Sequence, residues 1–276
     1  MLATEPSSEP EGAPEADLAL LVDAARAAGE IALGYWRNAQ RVWEKDEDQG
    51  PVGEADLAAD RVLTEHLRGA RPDYGWMSEE TADLAEDRAA RNLFIVDPID
   101  GTRAFLKGED TWSHSLAVVR DRVPVAAVVY LPAKDLLYTA AGGVGAWSNG
   151  ALLRAEPGSG GLDTANLLIT KPNLAPHLWR GPVPTLTRHF RPSLAYRMAL
   201  AAEGRFDGMV TLRDAWEWDV AAGALIAMEA GLCVTDRDGA ALRFNSPARK
   251  TAGILAATPS LHAELRARLA PGAWTE

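Results

Sequence analysis

Residues 93–102 read LFIVDPIDGT, and the rest of the chain is best understood from this stretch. Leu93, Phe94, Ile95 and Val96 form an unbroken apolar run, as expected of a strand covered on both faces. Asp97 ends the run. Pro98 fixes its own φ and lacks an N–H, so the strand is not expected to continue as a central one. Asp100 follows, Gly101 allows close backbone approach, and Thr102 adds a hydroxyl. Two carboxylates beside a Gly-Thr turn suit a hard divalent cation, with N–H groups left over for an anion. Asp-Pro and Asp-Gly are also ordinary turn chemistry, so the turn alone does not separate a site from a bend.

Two further acidic elements shift the balance. Glu79 and Glu80 lie in WMSEET, and Asp219 lies in WEWDVAAG just before an apolar helical run. Three separated acidic elements, each at the edge of an apolar segment, are hard to explain as solvated surface. At these elements the sequence resembles the inositol monophosphatase superfamily of magnesium-dependent, lithium-sensitive phosphatases. Its signatures are an acidic pair usually preceded by glycine, an Asp-Pro-Ile/Leu-Asp-Gly/Ser-Thr/Ser turn, and Trp-Asp-x-Ala-Ala/Gly-Gly. The last two are matched in full, and Ser78 stands in place of the glycine. The likeness runs from about Asp17 to the C-terminus.

The resemblance implies an α/β fold, a two-lobed αβαβα sandwich, and a phosphate monoester hydrolase. It implies two magnesium ions. Glu79, Asp97 and the Ile99 carbonyl would hold the first, and Asp97, Asp100 and Asp219 the second, with Asp97 bridging and room for a third ion near Glu79. Thr102, with Asp56 behind it, would partner the attacking water, so Asp56, Glu79 and Thr102 form the implied catalytic set. The N–H groups of Gly101 and Thr102 would cradle the phosphate, with Asp100 and Asp219 beside it. Such sites favour carboxylates and carbonyls over imidazole or thiolate. Residues 45–60 resemble the superfamily's first motif at Pro51, Val52, Ala55 and Asp56, while Gly50 and Gly53 replace the usual hydroxyl residues. The glycines predict a mobile loop. For Asp56 the alternative to orienting Thr102 is simple complementation of a helix N-terminus.

Composition narrows the functional class. The net charge of −11 argues against a nucleic-acid polymer bound through a basic surface, while a small phosphorylated metabolite remains compatible because bound metal reverses the local sign. The single cysteine, Cys233, excludes an intrachain disulfide framework and fits a reducing, cytoplasmic setting. It is read as a buried strand residue. The five histidines show no zinc-binding spacing. No run is long and apolar enough to span a membrane. A homodimer is compatible with the family.

In chain order, residues 1–14 read as a disordered acidic tail without signal-peptide features. From Asp17 the apolar spacing is helical. A strand, a charged loop and a second helix follow, with His66 on the packed face of that helix. After Asp100 the chain becomes a β-meander, with a hairpin turn at Asn149-Gly150. His114 is assigned a core role. The Gly/Ser/Pro stretch 157–161 divides an N-terminal lobe, 15–156, carrying the metal site from a C-terminal α/β lobe, 157–276, closing it. That lobe reads as the strand ANLLIT, a helix over 193–203, the strand FDGMVTL, a helix over 220–230, the strands GLCVTD and AGILAAT, and a closing helix.

For the substrate, inositol phosphatases commonly carry an acidic residue before Trp-Asp that binds sugar hydroxyls. The ungapped position here is Leu212, with Asp214 and Glu217 displaced from it. The stretch PSLAYRMALAAEGRFD looks more like bisphosphate nucleotidases, which hydrolyse 3′-phosphoadenosine 5′-phosphate. A second phosphate needs a cationic subsite, for which Arg197, Arg213, Lys171 and Lys250 are candidates and Arg197 is the first choice. The reading leans to the nucleotide, with inositol 1-phosphate next and histidinol or sugar phosphates behind. A non-catalytic regulatory protein on the same fold is the alternative of a different class.

Overall fold

The computed structural model describes residues 13–44, 50–82, 84–156 and 160–272. Most of the expected N-terminal tail, the charged centre of the loop before Gly50, and much of the 157–161 boundary lie outside these residues.

The apolar run of 93–96 is a central strand of a seven-stranded sheet. In chain order its members are β3 (Gly75–Ser78), β4 (Asn92–Asp100), β5 (Ser113–Arg120), β6 (Val123–Leu131), β7 (Leu136–Ala141), β8 (Gly145–Ser148) and β9 (Ala151–Leu152). They lie side by side in that order, β3 parallel to β4 and the rest antiparallel. Preceding them are α1 (Pro14–Tyr35), the small ribbon β1 (Val42–Glu44) and β2 (Pro51–Gly53), and α2 (Glu54–Ala70), while α3 (Thr102–Leu106) is a short turn after β4.

The second half begins with β10 (Asn166–Ile169), β11 (Thr187–His189), α4 (Leu194–Ala202), β12 (Gly208–Thr211), β13 (Ala215–Trp216) and α5 (Glu217–Glu229). It ends with β14 (Cys233–Thr235), β15 (Lys250–Thr251), β16 (Ile254–Ala257) and α6 (Pro259–Arg268). A five-stranded sheet runs β11-β10-β12-β16-β14, and β13 pairs with β15 separately.

Strand alternation builds the layers, because successive side chains point to opposite faces. Phe94 and Val96 pack with Leu21, Ala25 and Ala28 of α1 and Ala59 and Leu63 of α2. Leu93 and Ile95 share a core with α4 and α5. The five-stranded sheet contributes Leu168, Met209 and Ala256 to that same core, and turns Leu167, Val210 and Leu255 towards Leu261 and Leu265 of α6. The layers are thus α1/α2, sheet, α4/α5, sheet, α6, the αβαβα order that the resemblance implies. Helix α5 lies between two sheets, and Val220, Ala221, Ala224, Leu225 and Ile226 are all buried. Gly223 lets α4 pass closely, since a Cβ there would lie 2.8 Å from Met198 Cβ.

Several sequence expectations are corrected. β4 does not stop at Asp97 but runs to Asp100, pairing again at Asp100–Ser113 across a register shift. Pro98 disturbs the ladder without ending it, because a bulge absorbs the missing donor. β3 and β11 are strands too short to show a period in the sequence. α5 begins at Glu217 rather than 220. His66 is exposed, and Cys233 is only half-buried.

Candidate active site

The site forms where β3 and β4 end and α5 begins. Ser78 pairs with Val96, and the Glu79 N–H donates to the Val96 carbonyl at 3.2 Å. The parallel ladder therefore carries Glu79 alongside Asp97. Asp219 arrives from the first turn of α5, which the Ser115 hydroxyl holds to β5 through the Trp218 carbonyl at 2.8 Å. Oxygens of Glu79, Asp97 and Asp219 all lie within 4.8 Å of one another.

That arrangement is electrostatically unfavourable unless a cation joins it. Burial first, then repulsion from Glu79, Asp100 and Asp219, pushes Asp97 well above the usual carboxylate range. Asp219 is raised by burial and then by Asp100 and Glu79. Asp97 Oδ1 accepts the Ile99 N–H at 2.9 Å, while its buried Oδ2 receives no hydrogen bond. An orphaned buried carboxylate oxygen facing two other carboxylates fits an oxygen-liganded divalent cation.

Asp100 is placed differently. Ser193 Oγ donates to its Oδ2 at 2.7 Å, as does the Ala195 N–H at 2.7 Å, and the Leu194 N–H donates to Oδ1 at 3.2 Å. Asp100 thus sits on the N-terminus of α4, where partial positive charge accumulates. Burial still lifts it to about 6 against those hydrogen bonds. It adds charge to the cluster, which it borders, but Glu79, Asp97 and Asp219 form the compact triad.

Asp56 makes two contacts, one to the start of α2 and one to Thr102. Its Oδ2 accepts the Gly53 N–H at 2.9 Å, capping α2, and its Oδ1 lies 3.1 Å from Thr102 Oγ. Thr102 Oγ is also 3.1 Å from the Ile99 carbonyl. The hydroxyl has one proton, and the charged carboxylate is the stronger acceptor. That leaves the Thr102 oxygen lone pairs and the Ile99 carbonyl for other partners. Gly101 adopts φ 99°, which glycine tolerates at no steric cost, and turns the chain sharply into α3.

Arg197 is brought near the site but not into the open. Its guanidinium donates to the Ser193 carbonyl at 3.3 Å and the Pro192 carbonyl at 3.2 Å, and lies 5.1 Å from the centre of the Phe190 ring. Burial lowers it to about 10, partly offset by attraction to Asp100 and Asp219. Arg213, which is exposed, lies close enough to act on both Arg197 and Asp219. Leu212 is buried and apolar, and Asp214 is paired with Arg237 at 2.6 Å. Lys250 lies over the Trp216 ring at 4.2 Å.

Two further residues support the site: Asp60, which the sequence reading missed, and His114, which has the core role expected of it. Asp60 accepts the Ser78 hydroxyl at 2.6 Å and also the Thr81 hydroxyl, so one carboxylate brackets Glu79 and Glu80 from both sides. His114 lies fully buried under the turn, its Nδ1 on the Pro98 carbonyl. Burial drops it to about 4, so it is neutral near pH 7 and donates from Nδ1. Asp60 has only helical spacing in its favour, and His114 looks like any strand residue.

The sequence model of the inositol monophosphatase family matches residues 14–274. The chain belongs to this family. It is 38% identical over 200 residues to an inositol-1-monophosphatase of Rhizobium meliloti (strain 1021), covering 68% of this chain and 73% of that protein. It is 30% identical over 224 residues to the 3′(2′),5′-bisphosphate nucleotidase CysQ of Salmonella typhimurium, covering 80% and 90%. It is 31% identical over 263 residues to the Nus factor SuhB of Pasteurella multocida, covering 92% and 96%. The solved structure of an IMPase from Thermotoga maritima superposes with a TM-score of 0.78 at 27% identity, covering 91% of this chain and 96% of that one. As a member of the inositol monophosphatase family, the protein is a phosphatase. Among the described residues, no helix is long and apolar enough to cross a membrane.

Proposed function

We propose that this phosphatase is magnesium-dependent and that its substrate carries a second anionic group beyond the scissile phosphate, as 3′-phosphoadenosine 5′-phosphate does. The orphaned Asp97 Oδ2 in the Glu79–Asp97–Asp219 cluster supports the metal dependence. Glu79, Asp97, Asp219 and the Ile99 carbonyl would hold magnesium, with Asp100 contributing charge. Magnesium held there supplies Lewis-acid charge to a phosphoryl oxygen and acidifies water. The chain's own residues do the rest. Asp56 accepts the Thr102 hydroxyl hydrogen, so the Thr102 oxygen is free to accept a hydrogen bond from an incoming water and orient it. The Gly101–Thr102 turn offers N–H groups to the phosphate.

One observation supports the substrate class. Position 212, where an acidic residue would meet sugar hydroxyls, is a buried leucine, and its neighbour Arg213 is an exposed cation beside Asp219. An exposed arginine suits a phosphate better than a hydroxyl. Arg197 adds buried positive charge behind it. Phosphate release with magnesium from the bisphosphate nucleotide and from inositol 1-phosphate tests the reading. The nucleotide is expected to be preferred. Arg213→Ala should lower its kcat/KM by roughly ten- to a hundredfold, the loss of one charge-assisted contact, while sparing a simple monophosphate. Preference for inositol 1-phosphate would overturn the substrate assignment and leave the phosphatase intact.

A further inference from the structure

Two of the clustered carboxylates sit on segments that are not neighbours in any sheet. Glu79 opens the connection between β3 and β4, and Asp219 lies in the first turn of α5. A series of hydrogen bonds joins those segments behind the site. Glu217 is fully buried; its Oε1 accepts the Ser246 N–H at 2.8 Å, and its Oε2 accepts the Asn245 N–H. The Glu217 N–H donates in turn to the Arg249 carbonyl at 2.9 Å. Asn245, held at φ 60°, then grips Arg88. Arg88 Nε donates to Asn245 Oδ1 at 2.9 Å, Asn245 Nδ2 donates to the Arg88 carbonyl at 2.8 Å, and Arg88 Nη2 donates to the Ser246 carbonyl. Arg88 belongs to a single turn, Asp87–Ala89, which Arg68 of α2 holds through Asp87 at 2.9 Å. The Asp87 carbonyl packs where a side chain on Gly75 would stand.

We infer that the Arg88–Asn245–Glu217 tie is a positioning element that sets how far Glu79 stands from Asp219, and through that the affinity of the cluster for a divalent cation. The inference rests on reading Glu79, Asp97 and Asp219 as the cation's ligands. Like charges gathered around the buried Asp97 push their segments apart. Glu79 and the first turn of α5 are each held to the seven-stranded sheet at one point, and among the described residues no strand pairing joins the Arg88 turn to the start of α5. The tie resists that push with hydrogen bonds that involve ionised partners, about twice as strong as neutral ones. Outer partners of metal ligands are the usual means of fixing ligand geometry.

Binding of Mn2+ to the full chain, followed by the electron paramagnetic resonance of the free ion, tests this without turnover. Asn245→Ala, Arg88→Ala and Glu217→Gln should each weaken Mn2+ binding by about tenfold, the lower end for loss of an outer-shell partner. Arg88→Ala with Asn245→Ala should be little worse than either alone, since both break one link. Unchanged Mn2+ affinity with a lowered melting temperature of the metal-free protein would make the tie merely structural and overturn the inference. So would fully additive losses in the double variant. The Asn245 and Arg88 variants carry the test should Glu217→Gln not fold. Equal Mn2+ binding by wild type and Asp97→Asn would instead locate the failure in the ligand assignment.

Discussion

Asp97 is where the site's requirements meet: one oxygen is spent on the Ile99 N–H and the other is left without a donor among carboxylates. Asp97→Asn removes the central charge and is expected to cut magnesium-dependent phosphate release by more than about a hundredfold, beyond the loss of an outer-shell partner alone. Full activity in that variant, or in excess chelator, would refute the site. His114 makes the second residue-level prediction. A histidine held at about 4 when folded and near 6.5 when unfolded stabilises the protein above pH 6.5, and that stability is lost as pH falls towards 4. His114→Asn can keep a donor for the Pro98 carbonyl without titrating. Between pH 7 and 5, wild type should lose on the order of 2 kcal/mol more than this variant in urea unfolding. The carboxylates contribute equally to both proteins and cancel, so identical pH profiles would show that His114 does not titrate this way. Glu79, Asp97 and Asp219, which the fold brings together, stood out in the sequence because each lies in a short acidic motif at the edge of an apolar segment. Asp60 and Arg88 did not, because their partners are two hydroxyls and a distant asparagine that only the fold brings near; the core role of His114 was readable, but its carbonyl partner was not.

At the level of elements, the glycine that closes the WEWDVAAG motif has a packing role. Gly223 faces Met198 and the Ala195 carbonyl across the α4–α5 contact, where a Cβ would lie 2.8 Å and 3.2 Å away. Gly223→Val is therefore expected to destabilise the fold by about 1–3 kcal/mol through overpacking, read as a lower urea midpoint with an unchanged slope. A midpoint equal to wild type would mean that α4 can move aside freely. Long elements such as α1, α2 and the β5–β8 meander were readable because their apolar periods repeat. The passage through Pro98 was not, because proline's lost donor is absorbed by a bulge that depends on the register of β5.

Across the whole molecule, the site draws on both halves of the chain, with Glu79 and Asp97 from the seven-stranded sheet and Asp219 from the helix between sheets. A cation that binds only the assembled cluster must stabilise the entire fold. Magnesium at about a hundred times its dissociation constant should add about 2.7 kcal/mol, visible as a higher melting temperature that Asp97→Asn abolishes. An equal rise in the variant would place the binding elsewhere. The layered order was legible only through the family resemblance, since apolar periodicity shows that a helix is buried but not which sheets enclose it.

The enclosure of α4 and α5 between two sheets also bears on how the chain is made. The seven-stranded sheet is complete by Leu152, yet the face carrying Leu93, Ile95, Ala117, Val119 and Val129 is covered only when residues 194–229 arrive. At about 5–20 residues per second, a ribosome leaves that face bare for seconds. The nascent first half thus exposes an apolar face that the completed chain buries. A ribosome stalled near residue 160 should present a chain that binds a hydrophobic dye and resists protease poorly, both reversed once residue 229 has emerged.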